Sequence, residues 1–263
     1  MYNVHEINNI CNYIWFDLNK NHKIHHGRLE DFLNSDAYRI LISGLLVKKP
    51  IQYLVSSSDF MGLDLIVTPD VLIPRAETEG LVQWILDDIP NNYPIKALDI
   101  GTGSACISLA LKKFRPAWKL YGLDISREAL NIAKANSIKL ELEISLIHAD
   151  VFNDDYKIPQ FCNLIVSNPP YIAASEMDQM DPHVLLYEPK IALFPKGDDP
   201  LVFYRWIADF AKSKLSTTFW IYLELNALQW EDTKQIFLDA PFEDVVIKQD
   251  LASLNRLIRI RKT

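Results

Sequence analysis

Asn168-Pro169-Pro170-Tyr171 follows directly on Leu164-Ile165-Val166-Ser167, an apolar run of strand length. The prolines forbid the strand to continue, so a stiff loop must leave its end. Pro169 and Pro170 lack an N–H, which leaves their carbonyls as acceptors with no donor beside them. The Asn168 side chain adds another acceptor and Tyr171 a flat apolar face. Such a site can hold an NH2 group through both hydrogens, with the nitrogen lone pair free to attack. Alone, the same four residues would describe an ordinary Pro-Pro loop. What lies upstream decides against that.

Upstream, the short apolar strand Lys96 to Ile100 runs into Gly101-Thr102-Gly103-Ser104-Ala105, and a helical apolar pattern follows through Ile107, Leu109, Ala110 and Leu111. The two glycines let the backbone approach a ligand closely, and amides at the helix start can face it. Asp99 and residues 101 to 105 are therefore candidate cofactor-binding residues, with Ser104 read as an exposed helix-start residue. The turn by itself could serve a dinucleotide, a nucleoside or no ligand. The next strand ends in Tyr121-Gly122-Leu123-Asp124, where a carboxylate is placed to accept hydrogen bonds from a ribose diol. Asp124 could equally cap the helix that begins near Ser126-Arg127-Glu128. A third strand, Ile144 to Ala149, ends at Asp150, which could accept from an adenine amino group while the Val151 N–H donates to the ring.

The glycine turn, Asp124, Asp150 and Asn168 thus terminate four successive strands. In an open α/β sheet such ends share one crevice. The dinucleotide fingerprint Gly-x-Gly-x-x-Gly fails because Cys106 stands at its third glycine position. No Gly-Lys-Ser/Thr follows a glycine run, and Ser104 lacks the Gly-x-Ser-x-Gly frame of a hydrolase. The order of motifs resembles the class I methyltransferases that use S-adenosyl-L-methionine. The Asn-Pro-Pro-Tyr loop resembles their amino-group-methylating branch.

The elements that must position these residues fall into three stretches. Residues 1–50 show apolar residues at helical spacing (Val4, Ile7, Ile10, Cys11, Ile14, Trp15, Leu18, then Leu29 to Val47), with Asp36 as a cap or turn residue. They predict a small helical domain. Residues 51–76 predict a β-hairpin linker, with short runs at Leu63 to Val67 and Val71 to Ile73. Residues 77–263 predict a doubly wound, mostly parallel sheet of seven strands, Rossmann-like, closed by the antiparallel pair Val245 to Gln249 and Leu257 to Arg261. The prolines at 182, 189 and 195 with Gly197 predict an irregular loop over 172–199, of a length that is usually functional. Arg256, Arg259, Arg261 and Lys262 alternate with Leu257, Ile258 and Ile260, as on a solvated edge strand.

With 263 residues, 49% of them hydrophobic, the chain can bury a substantial core. A net charge of −7 argues against a nonspecific nucleic-acid binder, whose phosphate contacts need a basic face. Cys11, Cys106 and Cys162 form neither a metal-ligand spacing nor a disulfide framework, and this fits a reducing cytoplasm. His22-Lys23-Ile24-His25-His26 is accompanied by no carboxylate or cysteine pattern and is better read as a solvated turn than as a metal site. No basic leader opens the sequence, and no run approaches the roughly 20 apolar residues of a membrane span. The expectation is a soluble cytoplasmic monomer without metal and without direct nucleic-acid contact.

Further stretches carry a narrower resemblance: Lys49-Pro50-Ile51-Gln52-Tyr53-Leu54, Asp59-Phe60-Met61-Gly62-Leu63, Leu72-Ile73-Pro74-Arg75-Ala76-Glu77-Thr78-Glu79, Tyr187-Glu188-Pro189 and Asp250-Leu251-Ala252. Together with Asn168-Pro169-Pro170-Tyr171 they are similar to the HemK-type release factor glutamine methyltransferases, from about residue 48 onward. Ala105, Ala76, Asn226 and Ser253 depart from that family's pattern, as does Pro200 after Asp199. The resemblance implies S-adenosyl-L-methionine as cofactor. It implies as substrate the glutamine of the Gly-Gly-Gln loop in class I peptide chain release factors, which the helical domain of residues 1–50 would help dock. Asn168, Pro169 and Tyr171 would then be catalytic. Pro170 and Arg75 would join them in holding substrate, and Asn168 would also border the cofactor. Arg75, Glu77 and Glu79 either order the site or form an exposed ion pair. A nucleic-acid amino-group methyltransferase and a non-catalytic adaptor for translation factors remain the alternatives at this stage.

Overall fold

The computed structural model describes Ile14 and residues 34–153, 162–197, 199–214, 218–240, 242 and 244–262. The chain runs through α1 (Asp36–Leu46), α2 (Ile51–Val55), a hairpin of β1 (Ser58–Phe60) and β2 (Leu63–Leu65), and α3 (Ala76–Asp88). Next come β3 (Lys96–Ile100), α4 (Cys106–Phe114), β4 (Lys119–Asp124), α5 (Arg127–Lys139), β5 (Ser145–His148) and β6 (Leu164–Ser167). Past a 3-10 turn (Ala174–Gln179) lie α6 (Pro182–Tyr187), α7 (Lys190–Leu193) and α8 (Val202–Lys214). The described chain closes with β7 (Phe219–Glu224), α9 (Trp230–Leu238), β8 (Asp244–Gln249) and β9 (Asn255–Lys262).

β3 to β9 form one seven-stranded sheet in the order β5-β4-β3-β6-β7-β9-β8. β5, β4, β3, β6 and β7 pair in parallel, as expected of a doubly wound sheet. Side chains alternate between its two faces, as the pleat requires. Leu164, Val166, Trp220 and Tyr222 enter one core with Leu81 and Ile85 of α3 and Leu109 of α4. Ile165, Ile221 and Leu223 enter the other with Tyr204 and Ile207 of α8 and Phe237 of α9. Because helices cover both faces, β6 and β7 are buried at every position and read as continuous apolar runs.

The C-terminal ends of four parallel strands are brought level. Ile100 pairs with Leu123 and with Ser167, and Asp124 pairs with His148. The Gly101 and Thr102 amides both donate to the Leu123 carbonyl, at 2.8 and 3.0 Å. The Ser167 hydroxyl donates to the Ile100 carbonyl at 2.7 Å. The loops that follow β3, β4, β5 and β6 therefore leave one edge of the sheet.

Several expectations change. The last two strands are antiparallel to each other, but β9 inserts between β7 and β8, so β9 alone runs against the rest. It is an interior strand: Leu257, Ile258 and Ile260 are buried. Two of its arginines are paired, Arg259 with Asp88 and Asp244 at 2.7 Å each and Arg256 with Asp250 at 2.9 Å, whereas Arg261 is exposed and lies over the Trp220 ring. Charge alternation predicted solvent because the sequence does not display those partners.

The 172–199 stretch is not irregular throughout. Pro182 is the first residue of α6 and Pro189 the N-cap of α7, positions where a missing N–H costs nothing because amides at a helix start have no partner within the helix. Residues 51–76 contain the hairpin but open on a helix, and Val71 and Ile73 are buried without strand pairing. Phe60, Leu63 and Leu65 of the hairpin join the main core, so this stretch is built into the sheet domain. α1 is capped by Ser35, whose hydroxyl accepts from the Tyr38 amide, with Asp36 following as the first helical residue. The rest of the expected helical segment, residues 1–13 and 15–33, lies outside the described residues, as do Cys11 and the 22–26 histidine run. No helix among the described residues is long and apolar enough to cross a membrane.

Candidate active site

A cavity of about 300 Å³ opens at the level strand ends. Its walls include Gly101 to Ser104, Asp124, Asp150, Val151, Asn168 and Pro170. The residues expected at four different strand ends thus border one space. Arg75 and Thr78 close it from the start of α3, and Pro189, Ile191 and Phe194 from the far side.

The glycine turn is shaped by backbone conformation. Gly101 and Gly103 have φ of 69° and 53°, and a side chain built on Gly101 would meet nothing within 4 Å. Open space in front of two left-handed glycines is what a ligand needs to lie against the backbone. Gly122 has a different reason: a Cβ there would come within 2.8 Å of the Thr102 hydroxyl. Ala105 holds φ 64° as the residue preceding α4, and Ser253 holds 62°. Both stand where the family pattern has glycine, and both adopt the conformation that favours it. Ser104 is buried rather than exposed, and its carbonyl accepts from the Asn136 side chain at 3.0 Å.

Asp99 does not border the cavity. It sits behind the turn, 1% exposed, with one carboxylate oxygen accepting from the Thr102 and Ser108 hydroxyls at 2.7 and 2.8 Å. Burial pushes its carboxyl up to about 6 against the pull of those hydroxyls. Its part is to hold the turn from below.

Asp124 is not the helix cap, because Ser126 does that work by accepting from the Ala129 amide. The Asp124 carboxylate instead accepts from the Gly103 and Ser126 amides, both at 2.9 Å, and borders the cavity. Burial raises its pKa, opposed by those two amides. A carboxylate has about four acceptor sites, so this orientation leaves lone pairs for a diol. Asp150 folds its own turn, accepting from the Phe152 amide at 3.0 Å, with Val151 beside it.

On the opposite wall, side chains rather than backbone set the geometry. Asn168 Nδ2 donates to the Thr78 hydroxyl at 3.2 Å, and that hydroxyl donates to Glu224 Oε2 at 2.6 Å. Tyr171 does not border the cavity; its hydroxyl donates to Glu224 Oε1 at 3.0 Å, and its ring packs on the core behind. Pro169 is buried beside it and is not among the cavity walls. Arg75 is neither free nor part of an exposed pair. It meets Glu188, which is 5% exposed, at 2.5 Å, and Glu188 also accepts from the Ile73 amide. Glu79 accepts from the Met61 amide, tying α3 to the hairpin. No group of three or more His, Cys, Asp or Glu among the described residues could hold a metal ion.

The Methyltransferase small domain family matches residues 80–222. A release factor glutamine methyltransferase of Flavobacterium psychrophilum is 36% identical over 216 residues, covering 81% of this chain and 75% of the relative. One from Streptococcus pneumoniae is 40% identical over 216 residues, with the same coverage of both chains. The chain belongs to the release factor glutamine methyltransferase family. Among solved structures, a methyltransferase from Pyrococcus furiosus aligns with TM-score 0.55 at 17% identity over 86% of this chain and 96% of its own. The hMettl16 catalytic domain, solved in complex with MAT2A 3'UTR hairpin 1, aligns with TM-score 0.59 at 17% identity over 81% of this chain and 78% of its own. At that identity these two support the fold alone.

For this methyltransferase, sequence reading missed Thr78 and the apolar walls Phe152 and Phe203, which border the cavity, and Glu224, which does not border it but accepts from Thr78 and Tyr171. Glu224 had a signal. It is the one carboxylate in the otherwise apolar run Phe219 to Leu225, and it stands at a strand end like Asp99 and Asp124. Thr78 stood in the family-like stretch Leu72 to Glu79, but a threonine in the first turn of a helix does not by itself point to chemistry.

Proposed function

We propose that this methyltransferase transfers a methyl group from S-adenosyl-L-methionine to the side-chain amide nitrogen of the glutamine in the Gly-Gly-Gln loop of class I peptide chain release factors. The observation that carries this is one cavity bordered on one side by the left-handed glycine turn and Asp124, and on the other by Asn168. Relatives that cover most of the chain carry the matching name. The cofactor fits the residues present. Open space faces Gly101, Asp124 offers a diol acceptor, and the walls at Ile125, Phe152 and Phe203 are apolar.

When bound, S-adenosyl-L-methionine supplies an electrophilic methyl on a sulfonium. The rest falls to the chain. An amide nitrogen is a poor nucleophile because its lone pair is delocalised into the carbonyl. Asn168 borders the cavity, and its Oδ1 accepts an amide hydrogen and favours a geometry with more lone-pair density on nitrogen. Holding that nitrogen in line converts a bimolecular step into a nearly unimolecular one. The leaving thioether is neutral and needs no acid, and the amide proton leaves to water after transfer. Docking of the release factor is assigned to the segment before Pro50.

The test is methyl transfer from labelled cofactor. A release factor should be labelled, and the same factor with its Gly-Gly-Gln glutamine replaced should not. Duplex DNA and ribosomal RNA should remain unlabelled. Labelling of nucleic acid with an unlabelled release factor would overturn the substrate assignment. Removing residues 1–33 should lower methylation of the intact release factor sharply while cofactor affinity, followed by calorimetry, stays the same.

A further inference from the structure

Thr78 and Glu224 form, with Asn168, a chain of hydrogen bonds whose direction is fixed by the number of protons in it. A hydroxyl has one proton, and an ionised carboxylate can only accept. Burial raises the Glu224 carboxyl, while the Thr78 and Tyr171 hydroxyls and the nearby charge of Arg256 favour its ionised form, the form in which both its oxygens accept. Both Glu224 oxygens are engaged, Oε2 by the Thr78 hydroxyl and Oε1 by the Tyr171 hydroxyl. The Thr78 proton is therefore committed to Glu224, and the Thr78 oxygen has only lone pairs left to offer. The group facing it must be a donor, and that is Asn168 Nδ2.

A flipped Asn168 would set its own carbonyl against the Thr78 oxygen, acceptor against acceptor. Thr78 and Glu224 are each 2% exposed, so water cannot relieve that opposition cheaply. The Asn168 amide is thus held with its nitrogen on the α3 side and Oδ1 at the other end. Nothing in the Asn-Pro-Pro-Tyr loop itself distinguishes the two ends of that amide, which differ only in hydrogen bonding.

We propose that Glu224 and Thr78 are positioning residues for methyl transfer, acting through Asn168 to keep its carbonyl rather than its NH2 group turned toward the substrate amide. This rests on the reading of Asn168 as the acceptor that holds the glutamine NH2 group. The polarity of the chain, not merely its presence, then sets turnover.

The polarity can be reversed. In Asn168→Asp the group facing Thr78 becomes an acceptor, and two carboxylates compete for one hydroxyl proton. Adding Glu224→Gln supplies an NH2 group that donates to the Thr78 oxygen, which frees the Thr78 proton for the new aspartate. The remaining glutamine carbonyl still accepts from Tyr171.

The experiment measures kcat for labelled methyl transfer to a release factor at saturating substrates, with cofactor Kd and melting temperature followed in parallel. Thr78→Val keeps the shape and removes the hydroxyl; its kcat should fall roughly 10- to 100-fold, the range for loss of one buried orienting hydrogen bond. Thr78→Ser restores the hydroxyl and should stay within about threefold of the parent, since the hydrogen bonds persist. Asn168→Asp combined with Glu224→Gln should turn over about tenfold faster than Asn168→Asp alone, a non-additive rescue. A structural role by itself would make the double variant worse than either single one.

Thr78→Val with normal kcat, Thr78→Ser as poor as Thr78→Val, or a double variant no faster than Asn168→Asp would each overturn the proposal. Asn168→Ala separates it from the reading beneath it. If that variant is slow while Thr78→Val is normal, only the positioning chain fails. If Asn168→Ala itself turns over normally, the acceptor reading fails first.

Discussion

The two walls of the cavity are built by different means. On the glycine-turn side, geometry comes from backbone: left-handed conformations at Gly101, Gly103 and Ala105, and amides of Gly103 and Ser126 that aim the Asp124 carboxylate. Partners there lie within a few tens of residues, from Asp99 with Thr102 and Ser108 to Asn136 with Ser104. On the Asn168 side, geometry comes from side chains that meet across the fold. Thr78 reaches Glu224 across 146 positions, and Asn168 reaches Thr78 across 90. A wall made of local backbone tolerates loss of one side chain with its shape intact. A wall made of a side-chain chain passes each loss to the next member.

That contrast predicts which kinetic constant each wall controls, and the largest effect belongs to the Asn168 side. Asn168→Ala should slow transfer roughly 10²- to 10³-fold, as for deletion of one preorganised hydrogen-bonding group at a reacting centre. Cofactor affinity should barely change. Single-turnover transfer and calorimetry on the same preparation check both halves, and a large loss of cofactor affinity would erase the division between walls. Asn168→Asp, which keeps an acceptor but loses the NH2 donor, should fall between parent and alanine variant.

The glycine-turn side should show the converse pattern. Asp124→Ala removes the diol acceptor and the partner of two amides, so cofactor affinity should weaken about 10- to 100-fold, as expected for charge-assisted hydrogen bonds. Turnover at saturating cofactor should change far less. An Asp124→Ala enzyme with normal cofactor Kd would show that the carboxylate only shapes the turn.

A smaller effect concerns how the walls are joined. Arg75→Met leaves the nearly buried Glu188 carboxylate without its cation while its bond from Ile73 remains. Because Arg75 itself is about one-third exposed, the cost should be near the middle of the range for a buried group losing a partner, about 2 kcal/mol. Denaturant unfolding would measure it, and an unchanged midpoint would show that water replaces the guanidinium.

A last effect, read in the pH profile, separates support from contact. Burial raises the Asp99 carboxyl to about 6, whereas the unfolded chain titrates near its ordinary value of about 4. Between those pH values the folded chain binds more protons than the unfolded one, so this residue's contribution to stability falls as pH rises through the window. Asp99→Asn should flatten that part of the stability profile and leave cofactor affinity nearly unchanged. A profile with the same slope in both proteins would place the titration elsewhere.

Local chemistry made one wall legible in the sequence. A glycine turn between an apolar strand and an apolar helix, carboxylates at strand ends, and two prolines after a strand are signals carried within a few residues. They sufficed to name Gly101, Gly103, Asp124, Asp150 and Asn168, and to anticipate one crevice, because parallel strands with right-handed crossovers leave their C-terminal ends on one edge. Neighbouring residues did not determine partners. Arg259 of β9 read as solvated because Asp88 and Asp244 are distant in sequence or on another strand. Pro182 and Pro189 read as breakers because a proline that opens a helix and one that prevents it are the same residue until the following amides find acceptors. The sequence by itself determined which groups stand at the strand ends. Only the tertiary structure decided which way the Asn168 amide faces, because that depends on a proton held between Thr78 on a helix and Glu224 on a strand.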